Sequence, residues 1–253
     1  EINAFLKLYS EESIFIISDS YFKESKSCLF EEIKRYKHVF IDGGIESKSF
    51  HSYEKLLKLI VENKIPRDGA LVAIGGGVIG DLVAFASSTY QRGIDLIHIP
   101  TTTTAMIDSS VGGKTGLNFF GQVNLIGTYH NPKAIFMDLK FIKTLNLRDF
   151  YAGICEAIKM SITFDQSMFY RLYDISESLK SREIDALEEL ICWSVKTKLK
   201  YVSDDAKEES CRLLLNYGHT FGQSIETYYG LNQDALRHGE AVALGITVAA
   251  KLS

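Results

Sequence analysis

The chain of 253 residues is 46% hydrophobic and 24% charged, with a formal net charge of −4 and a sequence pI near 5.9. That length suits one or two domains with a sizeable core, and the slight acidity offers no attraction to nucleic acid or an anionic membrane, so neither is an expected partner. No apolar run approaches a membrane span, the opening EINAFLKLYS has no signal-peptide pattern, and a cytoplasmic location is expected.

Up to about residue 145, five short β-branched runs (SIFIISDS, HVFIDGG, ALVAIGGG, DLIHIP and AIFMDL) alternate with amphipathic stretches such as SYEKLLKLIVENKI. This alternation predicts βαβ units on a mainly parallel sheet, an α/β domain over residues 1–147. Beyond it strand signals fade. RDFYAGICEAIKM, REIDALEELICWSVKTKLKYV, CRLLLNYGHTFGQSIE and RHGEAVALGITVAAKL carry helical spacing, which predicts an all-helical domain over 148–253. Cys28, Cys155, Cys192 and Cys211 form no C-x-x-C pair and read as small buried residues. The chain starts without Met and stops inside an apolar pattern with no helix stop signal, so it is expected to be part of a longer protein, its helical domain cut short.

The first chemical signal is ALVAIGGGVIGD, where an apolar strand runs into Gly75, Gly76 and Gly77 and helical spacing then resumes. Such a turn brings backbone amides at a helix N-terminus close to a pyrophosphate, although the spacing is not G-x-G-x-x-G and a tight structural turn explains it equally. The strand DLIHIP then delivers TTTTAMIDSSVGGKTGLN, read as one loop in which hydroxyls, Asp108 and Lys114 suit a polar ligand. In CRLLLNYGHTFGQSIE a continuous helix would align Arg212, Asn216, His219 and Gln223 on one face. Glu156 and Lys159 stand at i and i+3 in an apolar helix, and His238 lies near the start of the last helical segment. Glu156, His219 and His238 make the two-histidine, one-carboxylate set of a catalytic zinc site. By pattern alone, pairing of Glu156 with a lysine and two structural histidines stands level with that reading.

GGGVIGD, RGIDLIHIPTT, DSSVGGKTGLN, NLIG, GICEAIKM, LNYGHTFG and RHGEAVALG occur in the order and approximate spacing of the 3-dehydroquinate synthases, and the sequence resembles that sugar phosphate cyclase family over nearly its whole length. The resemblance implies an N-terminal Rossmann-like NAD domain, a C-terminal helical metal domain and a homodimer. Carried over by position, Glu156, His219 and His238 would bind a divalent metal, zinc or cobalt. Gly44, Lys48, Gly76, Gly77, Val78, Ile79, Gly80, Asp81, Thr101, Thr102 and Lys114 would contact NAD. Arg92, Asp108, Lys114, Asn124, Lys159, Lys198, Arg212 and Asn216 would form the pocket for a sugar phosphate.

The implied reaction converts 3-deoxy-D-arabino-heptulosonate 7-phosphate to 3-dehydroquinate and phosphate, NAD being regenerated each turnover. Three positions depart from the family pattern: Ile45 replaces an acidic residue that binds a cofactor ribose, Val123 a lysine before Asn124, and Gln223 the second histidine of GHTFGH. Two rival functions are another sugar phosphate cyclase, acting on sedoheptulose 7-phosphate or glucose 6-phosphate, and a metal- and NAD-dependent polyol dehydrogenase. The first lacks a carboxylate for Arg212, Asn216 and Lys198 to hold; the second has no use for a phosphate-binding set.

Overall fold

Five runs of β-branched and apolar residues become five parallel strands. The computed structural model describes residues 2–230 and 236–253 and divides the chain into two compact units, Glu1–Pro100 with Gly113–Met137 and Thr101–Gly112 with Asp138–Ser253. The sequence boundary after residue 147 therefore moves to 137, and the segment after DLIHIP groups with the helices. Among the described residues no helix is long and apolar enough to cross a membrane.

The first unit runs α1 (Ile2–Leu6), β1 (Ile14–Asp19), α2 (Cys28–Ile33), β2 (Lys37–Ile41), α3 (Phe50–Glu62), β3 (Ala70–Gly75), α4 (Gly77–Thr89), β4 (Asp95–Pro100), β5 (Leu117–Phe119), β6 (Gln122–Ile126) and β7 (Ala134–Ile135). The sheet order is β2-β1-β3-β4-β7, all parallel, and every residue of β3 is buried, as both-face coverage by helices requires. Each large apolar side chain so buried contributes about 1.5–3 kcal/mol. The chain steps from β1 outward to β2 and returns to β3 on the other side, so a topological switch point lies at the carboxyl ends of β1 and β3. β5 and β6 form a separate hairpin that sequence reading missed. Phe120 and Gly121, both at positive φ (49° and 72°), make its two-residue turn, without the Asn-Gly or Asp-Gly signature of such turns.

The second unit contains α5 (Lys140–Thr144), α6 (Leu147–Phe164), α7 (Gln166–Asp174), α8 (Ser176–Lys180), α9 (Ile184–Asp204), α10 (His219–Tyr229) and α11 (His238–Leu252). The supposed loop after β4 contains a π-helical turn, Ala105–Ser109, that packs on α6 and α9. CRLLLNYGHTFGQSIE is not one helix. Cys211–Asn216 is a 3₁₀ turn, and Gly218, at φ 79°, separates it from α10. Two contacts cause the break. The Asp205 carboxylate accepts from the backbone N–H groups of Glu209, Ser210 and Arg212, and a Cβ at Gly218 would lie 2.7 Å from Ile246 N. The expected single polar face is lost with it: Arg212 is buried and Gln223 exposed. Cys28 and Cys192 are likewise exposed, correcting their expected burial.

Candidate functional site

The helical unit brings α6, α10 and α11 unusually close. A Cβ at Gly239 would sit 1.9 Å from Ala152 O on α6, and one at Gly245 would sit 2.0 Å from Gly218 O, so neither position has room for a side chain. The start of α11 is further clamped to α6. Glu240 accepts from Arg237 N at 2.8 Å and pairs with both Nε (2.7 Å) and Nη2 (2.8 Å) of Arg148, while Arg237 Nε reaches Asp149 at 2.5 Å. The first residues of α10 and α11, His219 and His238, thereby meet with ring centroids 5.2 Å apart.

Glu156 of α6 completes the set. One ligand atom from each of Glu156, His219 and His238 lies within 4.8 Å of the others. Three atoms so spaced share a point within about 2.8 Å of all of them, at most about 0.6–0.8 Å beyond the roughly 2.0–2.2 Å of zinc–nitrogen and zinc–oxygen bonds. Glu156 is fully buried. Its Oε2 accepts from Lys159 Nζ at 2.5 Å, and its Oε1 has no hydrogen-bond partner among the described residues, although His238 Nε2 stands 3.6 Å away. A buried carboxylate oxygen without a donor is costly, and a cation between it and the imidazoles would relieve that cost. The lysine pairing and the metal set, alternatives in the sequence, thus occupy different oxygens of one carboxylate.

The electrostatics suit this arrangement. Burial alone would raise the Glu156 pKa, but the Lys159 ammonium together with His238 and His219 outweighs it and holds the carboxyl below its usual range. Burial, aided by Lys159, pushes His219 down to about 4, leaving a neutral imidazole with a lone pair at pH 7. For His238, burial is outweighed by the Glu226 hydrogen bond and the Glu156 charge, and its pKa rises. Asp108 on the π-helical turn is lowered: burial acts against this, but Lys198, 2.8 Å from its Oδ1, and Lys159 prevail. Lys198 Nζ also donates to the Asp108 carbonyl at 2.5 Å.

Lys48, Asn124 and Asp81 group with each other, while Arg212 and Asn216 have partners of their own. Arg212, 1% exposed, donates through its terminal nitrogens to Ala206 O and Gly112 O, each at 2.8 Å, and Asn216 Nδ2 donates to Glu208 Oε1 at 2.7 Å. In the first unit, Lys48 is buried, donates to Asn124 Oδ1 and pairs with Asp81 at 2.5 Å. Arg92 and Lys114 are exposed on that unit, Arg92 at φ 70° and Lys114 bridged to Tyr129. Thr101 is buried at the end of β4, and Thr102 Oγ1 accepts from Ala105 N.

The glycine turn leads from β3 into α4 at the switch point. A Cβ at Gly75 would lie 2.8 Å from Ile79 Cβ, and Gly76 is an extended N-cap with no side-chain hydrogen bond. The amides of Gly77, Val78 and Ile79 in the first turn of α4 therefore form an anion-receptive helix end, whereas that of Gly80, next to Asp81, already donates to Gly76 O at 3.0 Å. Gly44 caps the 3₁₀ turn Ile45–Ser47 that presents Lys48. Sequence reading missed Glu226, a buried acid seven residues after His219 in α10; that two-turn spacing was its available signal.

An open parallel sheet with a glycine-rich helix start in one unit, and a two-histidine, one-carboxylate set on three helices in the other, define a class of two-unit α/β-plus-helical proteins. Two solved structures share its fold. The 2-epi-5-epi-valiolone synthase of Streptomyces hygroscopicus subsp. jinggangensis 5008, with NAD+ and Zn2+ bound, aligns with a TM-score of 0.85 at 28% identity, covering 93% of this chain and 68% of its own. A 2-deoxy-scyllo-inosose synthase complexed with carbaglucose-6-phosphate, NAD+ and Co2+ aligns at 0.83 and 29%, covering 99% and 71%. The chain belongs to the 3-dehydroquinate synthase family: residues 38–152 match its N-terminal model and residues 153–253 its C-terminal model. It is 48% identical over 213 residues to the 3-dehydroquinate synthase of Helicobacter pylori strain J99, an alignment covering 84% of this chain and 60% of that one. The chain thus spans about 60% of the length of the two Helicobacter pylori relatives that it matches at 48% identity, and 67–71% of some others.

Proposed function

We propose that the whole protein is a 3-dehydroquinate synthase, a phosphate-eliminating carbon–oxygen lyase that acts on 3-deoxy-D-arabino-heptulosonate 7-phosphate with catalytic NAD and a divalent metal, zinc or cobalt. The observation that carries the proposal is Glu156 Oε1, buried without a hydrogen-bond donor among the described residues and close to two imidazoles. When bound, NAD and the metal supply hydride transfer at a secondary alcohol and polarisation of the substrate hydroxyls.

The chain's own residues bind and orient. The α4 amides receive the cofactor pyrophosphate, and Lys48, fixed by Asp81 and Asn124, sits ready for a further polar contact. Arg92, Lys114 and Asn124 of the first unit are assigned to the sugar phosphate. In the helical unit Lys159 and Lys198 offer ammonium groups already ordered by Glu156 and Asp108, so little side-chain freedom is lost when a substrate anion arrives. Arg212 lends its charge while bracing the segment at Gly112 and the turn at Ala206. This density of cations favours an acidic substrate over sedoheptulose 7-phosphate or glucose 6-phosphate, which lack the carboxylate. Family membership and a small charged substrate support a cytoplasmic homodimer.

The test is incubation of the whole protein with substoichiometric NAD, Zn2+ and each of the three sugar phosphates, following phosphate and NADH together. Phosphate without net NADH, from the heptulosonate alone, is expected. Net NADH would instead mean a dehydrogenase, and phosphate only from a neutral sugar another cyclase.

A further inference from the structure

Among the described residues, His238 is held from behind by a carboxylate and His219 by a carbonyl. His238 Nδ1 lies 3.0 Å from Glu226 Oε2, whereas His219 Nδ1 faces the Tyr217 carbonyl, at 3.4 Å. A neutral imidazole that donates Nδ1–H to a carboxylate carries its lone pair on Nε2, and that is the nitrogen 3.6 Å from Glu156 Oε1. Glu226 is 5% exposed, and a carboxylate so buried is costly unless paired; the imidazole is its partner. The two histidines are otherwise alike, each the first residue of its helix.

We infer that Glu226 is a positioning residue that fixes the tautomer and ring plane of His238 and makes its Nε2 the more basic, firmer imidazole ligand of the pair. The inference rests on the metal reading proposed above. Glu226→Gln keeps the size and an oxygen able to accept Nδ1–H but removes the charge; Glu226→Ala removes both. A carboxylate behind a metal-bound imidazole commonly contributes about 10- to 100-fold to metal affinity. The Zn2+ dissociation constant, measured by competition with a chromophoric chelator, should therefore rise about tenfold in Glu226→Gln and about a hundredfold in Glu226→Ala. With Co2+ in place of Zn2+, the visible bands of Glu226→Ala should change position and intensity as His238 loosens.

A packing role alone would lower the melting temperature of both variants while leaving Zn2+ affinity and the Co2+ spectrum at wild-type values, and that result overturns the inference. Should Glu226→Ala fail to fold, Glu226→Gln carries the test, since it preserves volume and a hydrogen bond. His219→Ala separates the two levels of failure. If it binds Zn2+ as tightly as wild type, the metal reading falls and this inference with it; if it loses Zn2+ while both Glu226 variants retain it, only the inference falls.

Discussion

Replacing Lys159 with Met removes one charge from a fully buried ion pair and leaves the other stranded. Lys159 is 1% exposed, Glu156 is fully buried, and their charged atoms are 2.5 Å apart. Removing one partner of such a pair costs about 3–5 kcal/mol. The cost has a ceiling, because the stranded carboxylate escapes it by taking up a proton. From an unfolded-state pKa of about 4.3, forcing that proton on at pH 7 requires roughly 4 kcal/mol, and at pH 5 only about 1 kcal/mol. The sign follows: above its unfolded pKa the unfolded carboxylate is ionised while the mutant's folded one is neutral, so the penalty grows as pH rises. Urea unfolding of metal-free wild type and Lys159→Met, followed by circular dichroism at pH 5 and 7, reads both numbers. Zn2+ should shrink the difference, since it gives Glu156 a new cation. A loss under about 1 kcal/mol at pH 7 that does not vary with pH would show that Glu156 is not stranded in the way the buried pair requires.

Four other positions give independent checks. His98 in β4 has its pKa lowered to about 4 by burial and the neighbouring His130, so the unfolded state binds the proton preferentially between about pH 6.5 and 4 and stability falls across that window. Between pH 7.5 and 5 the wild type should lose about 2 kcal/mol that His98→Leu does not, measured by denaturant unfolding; parallel losses would refute the assignment. Ile45→Glu and Val123→Lys, beside the Lys48–Asp81–Asn124 group, should tighten NAD binding in calorimetry, and no gain from either would mean that the turn receives the cofactor differently. Gln223→His, one turn beyond His219, should raise the phosphate-release rate by roughly tenfold to a hundredfold, more so at lower pH, with NAD affinity unchanged. Because Gln223 is exposed in the structure, an unchanged rate would mean that it faces away from the leaving group.

What could be read from the sequence was what local periodicity encodes. The strands β1 to β4 and β7 lie in short runs rich in β-branched and other apolar residues, and α6, α9 and α11 keep helical spacing throughout. Glu156, His219 and His238, which the structure brings together, stood out as polar residues in helical stretches, but type and spacing alone left a metal set level with a lysine pair and two structural histidines; only the family resemblance favoured the metal. The helix break at Gly218 was not, because its causes, Asp205 and Ile246, lie outside the segment; a glycine within a helical pattern signals a break only once its packing is known. Glu226 escaped because one acid in SIETYY looks like an ordinary solvated helix residue until α11 covers it. Arg212 was expected on a polar helix face, and only the structure reveals that it is buried and that carbonyls at Ala206 and Gly112 already engage it.

The most direct test of the account is the metal content of the whole protein. Wild type and His219→Ala, loaded with zinc, freed of excess by gel filtration and shown to be folded by circular dichroism, would be compared by elemental analysis. Wild type should carry about one zinc per chain and the variant should lose it, as a three-residue ligand set requires. Equal zinc in both proteins would contradict it.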